Sequence, residues 1–166
     1  MSSSGTSNSP APARAPGLLR QMRLVLGELF GGRPIDADLQ TTLEVLFALL
    51  GAMAQADSIV TSHETEFVNN LMDELELSNQ ARGIAKDAFD RGRQKRVDAE
   101  AEGRRLLARF GAKSAQVEQV YEAILRLAAA DERIRPRERE LLEKITGALG
   151  FDPHALDVRL KILGHG

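Results

Sequence analysis

The sequence predicts an all-α domain of about eight helices, arranged as a pseudo-twofold duplicated helical bundle. Three observations predict it. Apolar residues recur at spacings of three and four along most of the chain, and no segment alternates apolar and polar residues as a half-buried strand does. Hydrophobic residues make up 43% of the chain but aromatics only 4%, with no Trp, so the core must be built of Leu, Ile, Val, Ala and Met, a mix suited to helix packing. Finally, two distant segments match each other at a fixed offset, the mark of an internal repeat.

The elements follow in order. Residues 1–16 are rich in Ser, Pro, Ala and Gly and have nothing to bury, so a disordered tail is expected. Residues 17–35 hold an amphipathic helix over about 18–30, with Leu18, Leu19, Met22, Leu26, Leu29 and Phe30 on one stripe; Gly31, Gly32 and Pro34 end it. The helical domain is expected over 36–166. Its first helix covers about 38–56, with Leu43, Leu46, Phe47, Leu50, Met53 and Ala54 inward. The next covers about 62–75, with Thr61 and Glu64 as a capping box. Ser78 is the N-cap of a fourth helix carrying Ile84, Ala85, Ala88 and Phe89. A polar fifth helix is expected over 94–109, closed by Gly111. The sixth covers about 114–130 with Val117, Val120, Tyr121, Ile124 and Leu127 inward. Pro136 opens the seventh, which ends at Gly150, and Asp152 with Pro153 start an eighth that ends near Leu163.

The repeat sets Ala54-Gln-Ala-Asp57-Ser-Ile-Val60 and Glu64 against Ala128-Ala-Ala-Asp131-Glu-Arg-Ile134 and Glu138. The same offset pairs Leu43 with Val117, Phe47 with Tyr121, Leu50 with Ile124, Leu71 with Ile145, Leu75 with Leu149, Leu77 with Phe151 and Ser78 with Asp152. Units of about 39–91 and 113–164 result, each a helix, an acidic bend, a helix, a capped turn and a helix. Two such units can bury their apolar faces on each other.

Composition narrows the function. A net charge of -2 argues against a broad nucleic-acid surface, and no nucleic-acid partner is expected. Without Cys there are no disulfides, thiolate nucleophiles, zinc-thiolate sites or iron–sulfur clusters. No Gly-rich phosphate loop and no histidine-partnered nucleophile motif occurs, and His63, His154 and His165 stand singly, so no catalytic residue is assigned and the chain is expected not to be an enzyme. The longest apolar run, 45–54, is broken by Gly51 and too short to span a bilayer. The first 15 residues lack a basic start followed by an apolar stretch, so no secretory signal is expected, and a cytoplasmic protein is. Membrane contact is expected only through the helix at 18–30, flanked by Arg14, Arg20, Arg23 and Arg33, and packing of that helix on the bundle is the favoured alternative. Arg91, Arg93, Lys95, Arg96, Arg104, Arg105 and Arg109 lie among acids and read as a solvated face with intrahelical ion pairs.

The acidic bends carry a further resemblance. Alanine, Asp, two spacers, Val or Ile, three spacers and Glu, found at Ala56-Asp57 to Glu64 and at Ala130-Asp131 to Glu138, resembles the signature of TerB-like (tellurite resistance) domains. Phe47 to Asp57, Leu71-Met-Asp-Glu-Leu75, Ala88-Phe-Asp-Arg-Gly92, Ala128 to Asp131 and Glu138-Arg-Glu140 resemble the TerB-like region at the N-terminus of DjlA-type co-chaperones, over about 39–163. Ser58 and Glu132 stand where the family often has Gly, and neither that family's membrane segment nor the His-Pro-Asp motif of its J-domain is found; Asp152-Pro153-His154 is the reverse order at a helix start. The resemblance implies a stress, tellurite-response or chaperone-linked module with an unidentified protein partner, and divalent-metal binding through acids.

Two readings of those acids stand. Asp57, Glu64, Asp131 and Glu138 offer hard oxygen ligands for Ca²⁺ or Mg²⁺ if the repeat brings the bends together. Alternatively each acid accepts backbone N–H groups at a helix start, which explains the residues without an ion and is the favoured one. The spacing does not fit an EF-hand loop. A non-catalytic interaction or sensing module is therefore expected, with a metal-dependent enzyme using the same acids, or a structural assembly subunit, as alternatives.

Overall fold

The computed structural model describes residues 16–30, 34–56, 62–130 and 133–164, with backbone alone at residues 16 and 62–64. The expected tail, the Gly31-Gly32 stop and the Thr61–Glu64 capping box lie outside what is described. Eight α-helices follow one another: α1 Pro16–Phe30, α2 Ala37–Ala56, α3 Ser62–Glu74, α4 Asn79–Arg93, α5 Ala99–Phe110, α6 Ala115–Ala129, α7 Pro136–Ala148 and α8 Pro153–Ile162. No strand occurs among the described residues.

Side chains on the preceding turns start these helices. Ser78 accepts from the Ala81 amide at 3.2 Å, Ser114 from Val117 at 3.2 Å, and Asp152 from His154 at 2.8 Å, each satisfying a donor with no partner inside its helix. Asp98 does the same for α5, accepting from Glu100 and Ala101. That cap moves the fifth helix from its expected start: α4 runs on to Arg93, and Gln94 to Asp98 form the connection.

Helix α2 is the axis of the bundle and packs on α4, α5, α6 and α7. Although the run 45–54 is too short to span a bilayer, the 20 residues of the whole helix have the length and apolar content of a membrane span; 72% of its most apolar window is buried inside the bundle. The stripe of α1 is also consumed internally. Leu18, Met22, Leu26, Leu29 and Phe30 are all buried, and α1 lies across α6 and α3.

The duplication is visible in the helix bounds: α7 begins and ends 74 positions after α3, and α8 begins 74 after α4. The paired core positions Leu43 and Val117, Phe47 and Tyr121, Leu50 and Ile124, and Leu71 and Ile145 are all buried. Packing extends the equivalence. Just as α1 lies across α3 of its own half and α6 of the other, α5 lies across α7 of its own half and α2 of the other.

The copies differ at one seam. Gly51 and Gly92 let the backbones of α2 and α4 touch: a Cβ on Gly51 would sit 2.2 Å from the Phe89 carbonyl oxygen, and one on Gly92 2.1 Å from that of Ala48. In the second copy Leu125 stands in place of Gly51, while Glu122 and Arg126, ion-paired at 2.8 Å, replace Ala48 and Ala52. No such backbone contact brings α8 onto α6, and α8 rests more on α7. Ile162, the counterpart of fully buried Ala88, is consequently 77% exposed.

The ends of α3 and α7 differ as well. Both chains turn through a left-handed residue that closes a six-to-one hydrogen bond, Leu77 N–H to Met72 and Phe151 N–H to Thr146. The second copy has Gly150 there, at φ 86°; the first has Glu76, at φ 53°. Glu76 is exposed, so Glu76→Gly is expected to stabilise the protein by about 0.5–1 kcal/mol, measured by urea unfolding. A loss of stability would show that the Glu76 side chain makes up for its backbone.

Candidate functional site: a cleft at the join of the two copies

One cleft is flanked by the described residues next to two of the expected acids. Ala56, the residue before Asp57, lines it together with Arg137, the residue before Glu138. The cleft has a volume of about 370 Å³ and lies between the C-terminal end of α2, the α4–α5 connection and one face of α7. Ala52, Ala56, Val97 and Leu141 give it apolar walls, and Lys95, Lys144, Glu100 and Glu140 a rim of both charges.

Lys95 sits there at a conformational cost. Its φ is 60°, because it occupies the left-handed position of the turn that ends α4, where the Arg96 amide donates to the Arg91 carbonyl at 2.8 Å. Glycine is the usual residue at such a position. The sequence reading placed Lys95 on a solvated basic helix and missed both the turn and the cleft; a lysine gives no signal for positive φ. Three arginines of the basic face are ion-paired, and not only within helices. Arg91 pairs with Asp87 at 3.4 Å, whereas Arg105 reaches Glu44 and Arg109 reaches Asp38, so both tie α5 to α2. Burial alone would raise the pKa of Glu44, but hydrogen bonds from Arg105 and Gln40 and the positive charge of Arg105 and Arg91 hold it below the usual value.

Of the four acids expected at a metal centre, Asp57 and Asp131 lie outside the described residues, as does the Glu64 side chain, although Glu64 stands in the first turn of α3. Glu138 is described. It is only 3% exposed and its Oε1 accepts from the Arg135 amide at 3.1 Å, the carboxylate half of a capping box at the start of α7. Arg135 has no acceptor with which to return the bond. Among the described residues no three His, Asp or Glu side chains gather as a cation site.

A buried polar relay lies in the second copy. The Thr146 hydroxyl donates to the Leu142 carbonyl at 2.7 Å, which leaves its oxygen to accept from the Tyr121 hydroxyl, also at 2.7 Å. Tyr121 stacks on Phe151 with ring centroids 4.4 Å apart, and the Arg159 guanidinium lies over both rings.

Fold and cleft together define a class: a duplicated all-α domain with a charged cleft where its halves join. The chain belongs to the TerB family, since the family model described as Tellurite resistance protein TerB matches residues 43–160. It is 30% identical over 134 residues to the co-chaperone protein DjlA of Vibrio vulnificus (strain CMCP6), and 31% identical over 134 residues to that of Vibrio parahaemolyticus serotype O3:K6. The DjlA of Vibrio cholerae serotype O1 is 28% identical over the same length. Each alignment covers 80% of this chain and 47% of the relative, so the chain spans about half the length of the curated relatives it matches. No solved structure matches it significantly.

Proposed function

We propose that this TerB-family domain is a non-catalytic interaction module in a chaperone-linked or tellurite-response setting, and that it grips a protein partner in the cleft between α2, the α4–α5 connection and α7. The observation that carries this reading is Lys95. Its left-handed strain is shared by Glu76, but among the described residues Lys95 alone combines it with an exposed side chain on the rim of this cleft, and strain at a cleft points to a site of function. Relatives named as co-chaperones support the setting.

Lys95→Gly separates stability from function. It is expected to raise unfolding free energy by about 0.5–1 kcal/mol while weakening partner capture. A photoreactive residue at Lys144, within the cleft, is expected to crosslink a partner in the native cell, and the same residue at Glu76 is not. Adducts that persist at full yield in the Lys95→Gly protein, or that form equally from Glu76, would overturn the cleft assignment.

In this reading Glu138 caps α7, and binding needs no ion at Asp57, Glu64, Asp131 and Glu138. The melting temperature is expected to be the same in chelator and in millimolar Ca²⁺ or Mg²⁺. A saturable rise with either ion would restore the metal reading, because an ion held only by the folded state stabilises it in proportion to its binding.

A further inference from the structure

Helix α1 occupies a peculiar place. The TerB family match begins at residue 43, so α1 lies outside it, whereas its counterpart α5 lies inside. Each half of the domain has a helix lying across its own third helix and the first long helix of the other half. In one half the matched core supplies that helix; in the other a segment ahead of the core does. The surface formed by α3 and α6 is therefore a seat for one amphipathic helix. Phe67, Val68, Leu71 and Met72 on α3 and Val120 and Ile124 on α6 are buried.

What fills the seat shows its chemistry. Leu18, Met22, Leu26 and Leu29 enter at spacings of four, four and three. The polar ties to this surface are few and peripheral: Arg126 Nη1 donates to Gln21 Oε1 at 2.9 Å, and Arg23 faces Glu74 at 3.8 Å with both side chains over a third exposed. Such pairs add little to affinity, so apolar burial carries the contact. Any helix with this apolar spacing, an acceptor facing Arg126 and a cation facing Glu74 fits equally well.

We propose that the α3–α6 surface is a helix-binding groove, filled in this chain by α1, and that it takes an amphipathic helix of a partner protein when α1 is withdrawn. This surface is separate from the cleft and does not rest on it. In the resting chain α1 competes in cis. A tethered segment acts at an effective concentration of about a millimolar, so where α1 and a free helix both bind with micromolar affinity the free helix is held off by about 1,000-fold.

The test uses the full chain and a fluorescent synthetic peptide of residues 16–30. Leu26→Asp puts a charge into the centre of the α1 contact and unseats it. The variant is expected to bind the peptide with saturation at micromolar concentration, and the wild-type chain about 1,000-fold more weakly. A peptide carrying Asp at the positions of Met22 and Leu26 is expected not to bind. Equal affinity for variant and wild type, or no saturation with a folded variant, overturns the proposal. So does a variant that loses cooperative unfolding, which makes α1 a fixed part of the core, or one that forms a dimer and takes up no peptide, which assigns the groove to a second copy. A second variant keeps Leu26 and places a protease site between Gly31 and Gly32. After cleavage α1 is expected to exchange for labelled peptide, and a cleaved chain that retains α1 without exchange also overturns the proposal.

Discussion

Alanine at Gly51 is expected to lower the unfolding free energy by about 3 kcal/mol, and alanine at Gly92 by a similar amount. Overpacking a core by a methyl group costs about 1–3 kcal/mol when side chains can shift. Here the added carbon meets the carbonyl oxygen and amide nitrogen of a facing helix, within 2.2 and 2.9 Å at Gly51, and a helix backbone cannot rotate out of the way. The cost therefore falls at the top of that range, even though alanine gains about 1 kcal/mol over glycine in helix propensity. At about 2–4 °C per kcal/mol for a domain of this size, the melting temperature should drop by about 6–12 °C. Gly83 is the control. It lies in α4 with nothing within 4 Å of its would-be Cβ, so Gly83→Ala is expected to stabilise by about 0.5–1 kcal/mol. Urea unfolding distinguishes the two, and a harmless Gly51→Ala would show that α2 and α4 do not touch.

Thr146→Val is expected to cost more than Tyr121→Phe, although each removes the same hydrogen bond. The first leaves the hydroxyl of a fully buried tyrosine without its partner, at about 1–3 kcal/mol. The second leaves Thr146 still donating to the Leu142 carbonyl and should cost about 1 kcal/mol. The double variant is expected to be no worse than Tyr121→Phe alone, because the repeat places buried Phe47 and Met72 at the same two positions of the first copy. A double-mutant cycle measures this, and simple additivity would show that the two hydroxyls do not depend on each other. Burial also pushes the Tyr121 pKa up, against the charge of Arg159, which lowers it. A tyrosine whose folded pKa is raised gives its stability in full below the unfolded value of about 10, and that stability is lost as pH rises through it toward the folded value. Tyr121→Phe should therefore flatten the alkaline limb of the stability curve.

Most of the fold was legible because it rests on patterns that survive in one dimension. The apolar stripes, the Ser78 and Asp152 caps, the proline at the start of α7 and the repeat each depend on spacing alone. The α4–α5 connection was not legible, because Lys95 takes a conformation its residue type does not announce and Asp98 caps a helix that the even polarity of 94–109 concealed. Nor was the equivalence of α1 and α5, whose sequences share little and whose likeness lies in what each helix covers. The cleft escaped for a related reason. Its walls are drawn from α2, the α4–α5 connection and α7, and no short motif joins Gln55, Lys95 and Lys144. The acids of the bends stood out as a motif, and at Glu138 a helix start accounts for the residue.

The glycine seam gives the two halves of the duplication unequal freedom to vary. Where backbones touch, every side chain larger than hydrogen is excluded at two positions at once, so α2 and α4 must be inherited as a matched pair. Where Leu125 stands in place of Gly51 and α8 rests more on α7 than on α6, no backbone contact of that kind fixes the residues, and a change on one helix can be met by a change on the other. A gene duplication that begins with identical copies thus acquires a fixed half and an adaptable one, and new contacts can be acquired along α8 without disturbing the axis that holds the bundle.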